Sequence, residues 1–247
     1  MSARSRANKQ VPAVKDEDPS TLAKVLSQII ERGARVQAPA VKAYVERLRE
    51  HNAGASPADI VEKLDKHYMA AVMASGAAVG SAAAFPGIGT LVAMSAVAGE
   101  TVVFLEATAV YVLAVAEVHG IPAEHRERRR ALVLAVLVGD DGRQAVTDLV
   151  GPGRTSGAWL ADGAASLPLP AVSQLNSRLL RYFVKRYTLK RGAIAFGKLL
   201  PVGIGAVVGG VGNRMMGKKI VAHAHAAFGT PPARWPSPLH LLPAPRP

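Results

Sequence analysis

The run Tyr68–Gly99, YMAAVMASGAAVGSAAAFPGIGTLVAMSAVAG, carries no charged side chain and is built almost wholly of Ala, Val, Gly, Met and Ser. Its reading decides the fold. An uncharged stretch of this length is enough for a spanning helix of about 20 residues, yet Pro86-Gly87 interrupts it. The proline ring and its missing N–H break the helical ladder. The piece from Met69 to Phe85 makes about 25 Å of helix at 1.5 Å per residue, short of a hydrocarbon core of about 30 Å. The second piece meets Glu100 and Glu106 before it completes a span, and a carboxylate at mid-bilayer costs a few kcal/mol. Two apolar helices folded back at Pro86 and Gly87, as a buried hairpin or a re-entrant segment, satisfy both constraints.

Helix punctuation continues outward from this hairpin. Ser56-Pro57-Ala58-Asp59 is a capping signal of the Ser-x-x-acid kind, and it opens a helix through Ile60, Leu64 and Tyr68. Upstream, Asp18-Pro19 starts a helix to about Arg32, and a second runs from about Pro39 to His51 before Asn52 and Gly54. Downstream, Ile88 to about His119 reads as one long helix stopped by Gly120 and Pro122. Pro122 restarts a helix through Leu137, with Gly139-Asp140-Asp141-Gly142 as a turn and Asp148–Pro170 as a loop. From Ala171 a helix returns, on which Leu175, Leu179, Phe183 and Tyr187 step by four along one stripe. Gly192 and Pro201 interrupt it, and a Gly-rich helix follows to about Phe228.

No segment alternates with period two, so the expected fold is all-α. It is a compact multi-helix domain with two Pro/Gly-broken apolar hairpins, the second broken at Pro201 and Gly203. Leu200-Pro201-Val202-Gly203-Ile204-Gly205 echoes Phe85-Pro86-Gly87-Ile88-Gly89, and Gly205-x-x-x-Gly209 echoes Gly76-x-x-x-Gly80. Small residues four apart let helix backbones approach closely. The expected organisation is a disordered tail over residues 1–17, a helical extension over 18–55, the main helical domain over 56–229 and a disordered tail over 230–247. That last tail holds seven prolines, a composition of unfolded or polyproline-like chain.

The charge is distributed unevenly. The chain of 247 residues has 30 Lys+Arg against 18 Asp+Glu, a net +12. The last acid is Asp162, and the 12 Lys and Arg after it equal the whole net charge. A one-signed third of a protein favours an anionic partner, nucleic acid or phospholipid, over ordinary solvated surface. On the helix after Ala171, Arg178, Arg181, Lys185, Arg186, Lys190 and Arg191 form a basic strip beside the apolar stripe. That pattern suits the anionic headgroups of a membrane surface. The N-terminus has bases but no apolar core behind them, so it is not a secretory signal. The expected location is the cytoplasmic face of the cell membrane, peripheral or partly inserted.

Several kinds of chemistry find no support. There is no Cys, which excludes disulfides, thiolate metal sites and a cysteine nucleophile. Glu100 and Glu106 are six apart on a helix and do not face each other; Glu106 and Glu117 share a face about 16 Å apart, too far for an acid/base pair. His223 and His225, two apart, point to different sides of their helix, and no metal site or cofactor is expected. No phosphate-binding or nucleophile motif is present. Glu100, Glu106 and Lys198 are isolated charges in apolar stretches. A buried lone charge needs an opposite partner, so Lys198 is expected to reach one of the two carboxylates and tie the hairpins together.

The ordered set of features resembles the EcsC family of bacterial proteins, named for a member encoded beside an ABC transporter. The set comprises Gly76-x-x-x-Gly80, the Pro86-Gly87-Ile88-Gly89 break and an apolar helix with isolated acids. It continues with a basic helix, then Pro201-x-Gly203-x-Gly205, Gly209-Gly210 and Asn213, and an Ala-rich helix ending near Phe228. The resemblance covers about Pro57 to Phe228. It implies a helical, membrane-associated protein, accessory to transport or secretion with a membrane transport protein as partner, and it transfers no catalytic residue. Two other classes compete. A nucleic-acid-binding protein would use the same basic third, but only Tyr182 and Tyr187 offer stacking surfaces there. A hydrolase would take Glu106 or Glu117 as base and lacks a nucleophile.

Overall fold

The computed structural model describes residues 38–83, 90–121, 123, 125–150, 160, 167–197 and 204–236, with the helical turns at 79–83, 90–98, 100, 149–150, 184–197 and 204–210 described by backbone alone. Seven helices account for most of them: α1 (Ala38–Glu50), α2 (Pro57–Ala83), α3 (Thr90–Val118), α4 (Arg126–Val138), α5 (Asp140–Val150), α6 (Leu169–Gly197) and α7 (Ile204–Phe228). No strand occurs among the described residues. The fold is all-α. The breaks at Pro86, Gly87, Pro201 and Gly203 and the helix after Asp18 lie outside the described residues.

Local chemistry sets the helix ends. At the start of α2, the Ser56 N–H and Oγ both donate to Asp59 Oδ2, at 2.8 and 2.7 Å, and the Asp59 N–H donates back to Ser56 Oγ at 3.2 Å. This reciprocal box satisfies two of the donors that a helix start leaves unpaired. It also holds the Asp59 carboxyl below the usual carboxylate range. At the end of α3, the Ile121 N–H reaches Ala116 O at 2.9 Å and the Gly120 N–H reaches Glu117 O at 3.0 Å. Gly120 supplies the positive φ of +69° that this closure requires.

Two sequence boundaries need correction. Asp140, Asp141 and Gly142 do not form a turn; they are the first residues of α5. Gly139 alone makes the corner, at φ +71° and ψ −126°. Its carbonyl then accepts the N–H groups of Gly142 and Arg143. Likewise Asp148 belongs to α5, and α6 begins at Leu169 and passes through Gly192 without interruption. A single glycine in a helix costs only about 1 kcal/mol relative to Ala, less than the rest of a long helix supplies.

The core is organised around α3 and α4. Residues Tyr111 to Ala116 of α3 and Ala131 to Val136 of α4 are buried on every face, as expected of helices that are apolar all round and enclosed by others. One stretch of α3, Thr101–Val118, has the length and composition of a spanning helix. A little over half of it is buried within the protein, with Tyr111 to Ala116 enclosed and Val103 exposed. Helix α2 lies between α3 and α7, α6 packs on α4 and α5, and α1 packs on α3. Val41 and Val45 of α1 enter the same core as Ile60, Leu64 and Val72 of α2. The 18–55 extension therefore joins the main body through α1.

Residues 230–236 depart from the disordered tail expected over 230–247; residues 237–247 lie outside the described residues. Gly229, at φ +75°, turns the chain, and Trp235 then packs against the core. The Trp235 Nε1–H donates to Ala55 O at 3.2 Å, and the Arg49 guanidinium lies 3.9 Å from the centroid of its ring. The physical reason is twofold. Prolines lower the entropy lost when such a strap docks, and one tryptophan supplies a large apolar area.

Candidate functional site

Three helices share one end of the molecule. Asp65 of α2 bonds His225 of α7, Met69 and Val72 surround Gly217, and Gly76 lies against Asn213. Residue numbers rise along α2 as they fall along α7, so the two run antiparallel. By the same reasoning α3 runs antiparallel to α2, because Asp65 bonds Tyr111 and Tyr68 bonds Thr108. The last turns of α2 therefore point the same way as the first turns of α3 and α7. These turns contain the uncharged Gly/Ala-rich sequence.

The burial changes abruptly at this end. Val72 and Leu105 are buried. Beyond or beside them Met73, Val103, Val211, Met215 and Met216 are 40–67% exposed. Ala74, Ala77, Ala78, Gly99 and Gly212 are also exposed. Arg214, Lys218 and Lys219 are exposed on α7 among these apolar residues, and none of the three makes an ion pair or hydrogen bond among the described residues.

The seam that holds this end together uses residues singled out in the sequence motif. The Asn213 Nδ2 group donates to Val72 O at 3.0 Å across the α2–α7 interface. Gly76 leaves the space for it: a Cβ there would lie 2.9 Å from Asn213 Cγ. Gly217 does the same one turn on, where a Cβ would meet Val72 Cγ2 at 3.0 Å.

Below the seam runs a polar spine not foreseen in the sequence. Asp65 accepts from the Tyr111 hydroxyl at 2.6 Å through Oδ1 and from His225 Nε2 at 2.8 Å through Oδ2. Tyr111 stacks on Tyr68 with ring centroids 4.6 Å apart, and the Tyr68 hydroxyl is hydrogen-bonded to the buried Thr108 at 2.9 Å. Burial raises both phenols well above the ordinary range, and the Asp65 carboxylate raises Tyr111 further. The spine joins α2, α3 and α7. The available signal was that Tyr68 and Tyr111 sit in apolar runs, where a buried hydroxyl must find a partner.

Leu175, Leu179 and Phe183 are buried as the apolar stripe of α6. Arg178 is half-buried and Arg181 exposed on the same helix. The side chains of Lys185, Arg186, Lys190 and Arg191 lie outside the described residues. So do Lys198 and the side chain of Glu100, and with them the expected ion pair. Glu106 is exposed, so the burial that motivated a partner for it is absent. His223 donates from Nδ1 to Val136 O at 3.1 Å while His225 faces Asp65. Among the described residues no three His, Asp or Glu side chains gather as a metal site would require.

Neither a family model, nor a curated protein, nor a solved structure matches this chain.

Proposed function

We propose that this is a non-enzymatic, membrane-associated helical protein. The shared end of α2, α3 and α7 docks into the cytoplasmic leaflet, and Arg214, Lys218 and Lys219 contact anionic headgroups at its base. The basic strip of α6, Arg178 to Arg191, adds to the same attraction. One observation carries the reading: Met73, Val103, Val211, Met215 and Met216 are exposed, and the last three share α7 with Arg214, Lys218 and Lys219, which make no ion pair among the described residues. The dimensions suit partial insertion. From Ile204 to Gly217, α7 is about 20 Å long, against about 15 Å for half of a hydrocarbon core. The resemblance to the EcsC family adds a membrane transport protein as the expected partner.

Sedimentation of the full chain with vesicles tests this. Binding to phosphatidylglycerol vesicles is expected to exceed binding to phosphatidylcholine vesicles. Each base near an anionic surface contributes about 1 kcal/mol, so Lys218→Ala with Lys219→Ala weakens the first by about thirtyfold. Met215→Glu with Met216→Glu is expected to abolish the fraction that resists a high-salt wash. Equal pelleting by that variant and the parent would refute the docking end. Binding to single-stranded RNA in preference to either vesicle would move the assignment to nucleic acid.

A further inference from the structure

A second surface carries its own chemistry. Between α5 and α6 lies an open cleft of about 440 Å³, lined by Ala145 and Asp148 from α5 and by Arg178, Arg181 and Tyr182 from α6. The spacing explains the convergence. Residues 145 and 148 are one turn apart on α5, and 178, 181 and 182 occupy one face of α6. That face diverges from the buried stripe of Leu175, Leu179 and Phe183. Neither arginine makes a hydrogen bond or ion pair among the described residues, although Arg178 is half-buried. Asp148 accepts from Gln144 Nε2 at 2.8 Å and pairs with neither guanidinium. Two guanidinium groups, neither of them paired among the described residues, and a phenol thus line one side of the cleft, with a carboxylate on the other.

We propose that this cleft binds an aminoalkyl phosphate ester, of which phosphoethanolamine is the simplest. Guanidinium groups present paired donors that match phosphate oxygens, and a half-buried cation without a partner gains most from an anion. A bare phosphate would face Asp148 as a like charge. An ester bearing an ammonium group turns that repulsion into attraction. The same headgroup chemistry occurs in a free ester and in a phospholipid. The inference shares Arg178 and Arg181 with the membrane reading and rests on that reading only for the lipid source, because the free ester needs no membrane.

The test titrates the full chain with O-phosphoethanolamine, inorganic phosphate and ethanolamine, following amide shifts by NMR. O-phosphoethanolamine is expected to bind at least about tenfold more tightly than either fragment, since one charge-assisted hydrogen bond is worth about tenfold in affinity. Arg178→Ala with Arg181→Ala is expected to weaken it by about tenfold or more, and Arg181→Gln alone by less. Asp148→Asn is expected to erase the preference over inorganic phosphate. Helical circular dichroism of each variant checks that it folds. A lipid arm compares phosphatidylcholine vesicles with and without phosphatidylethanolamine, whose primary ammonium, unlike the quaternary group of choline, can donate a hydrogen bond to Asp148. Competition of that binding by the soluble ester identifies the headgroup as the source, and soluble binding without vesicle preference identifies the free ester. Equal affinity of the parent for phosphate and phosphoethanolamine overturns the proposal, as does no effect of the double arginine variant. Both results are independent of the anionic-vesicle experiment on Lys218 and Lys219.

Discussion

Gly76 of α2 and Asn213 of α7 occupy one space: the side chain that glycine lacks would fall on the Asn213 amide, 2.9 Å from its Cγ. The amide uses the gap to reach the Val72 carbonyl. Gly76→Ala is therefore expected to cost about 1–3 kcal/mol, the usual range for overpacking. The clash belongs to the pair, so the cost should fall by at least half in an Asn213→Ala background. Urea unfolding of the four species gives the coupling. Additive losses would show that the helices already have slack there.

The spine makes a prediction about alkaline pH. An unfolded tyrosine ionises near pH 10, whereas folded Tyr68 and Tyr111 keep their protons well above it. Stability is thus full below pH 10 and falls as pH rises beyond it, because the unfolded chain releases protons that the native state retains. The slope approaches about 1.4 kcal/mol per pH unit for each tyrosine. Tyr111→Phe is expected to remove one such slope while costing about 1 kcal/mol at pH 8 through the lost bond to Asp65. Denaturant midpoints between pH 8 and pH 11 measure both. An alkaline limb unchanged by the substitution would contradict the assignment.

What the sequence made legible follows from range. Ser56 and Asp59, or Gly120 and Ile121, act on neighbours a few residues away, and those helix ends are readable from the chain. Asp65 sits among Glu62, Lys63 and Lys66 and reads as solvated surface. Its distinguishing partners are 46 and 160 residues distant. The exposure of Met215 and Met216 was hidden for the same reason: an apolar residue in an apolar run gives no sign of which neighbours will cover it. Trp235 was concealed differently, by prolines whose composition suggests an unfolded tail.

The corner at Gly139 combines backbone and packing. Its φ of +71° with ψ of −126° belongs to a region essentially reserved for glycine, and a Cβ would lie 2.7 Å from His223 Nδ1. Gly139→Ala is expected to cost about 3 kcal/mol, near the upper end for a strained backbone position. Adding His223→Ala should relieve the contact but leave the backbone cost. Thermal unfolding of the single and double variants separates the two. A double variant as stable as His223→Ala alone would show that the backbone relaxes without penalty.

Trp235 gives the last test, because its contacts divide cleanly. The ring contributes a cation–π contact with Arg49, worth about 0.5–1 kcal/mol at an exposed site. Its N–H contributes a bond to Ala55 O, worth about 1 kcal/mol. Buried area adds to both. Trp235→Ala is accordingly expected to destabilise by about 2–3 kcal/mol, and Trp235→Phe by about 1 kcal/mol, since phenylalanine keeps a ring but has no donor. The effect should depend on Arg49: in an Arg49→Ala background, the step from Phe to Ala at position 235 loses its cation–π share. Pro236 lies against Gly120, where a Cβ would meet it at 2.8 Å, so Gly120→Ala should perturb the same strap from its other side. Denaturant unfolding of the Trp235 variants decides the matter. If Trp235→Ala falls within about 0.5 kcal/mol of the parent, the range of an ordinary surface change, the contacts of the strap with Arg49 and Ala55 do not stabilise the fold.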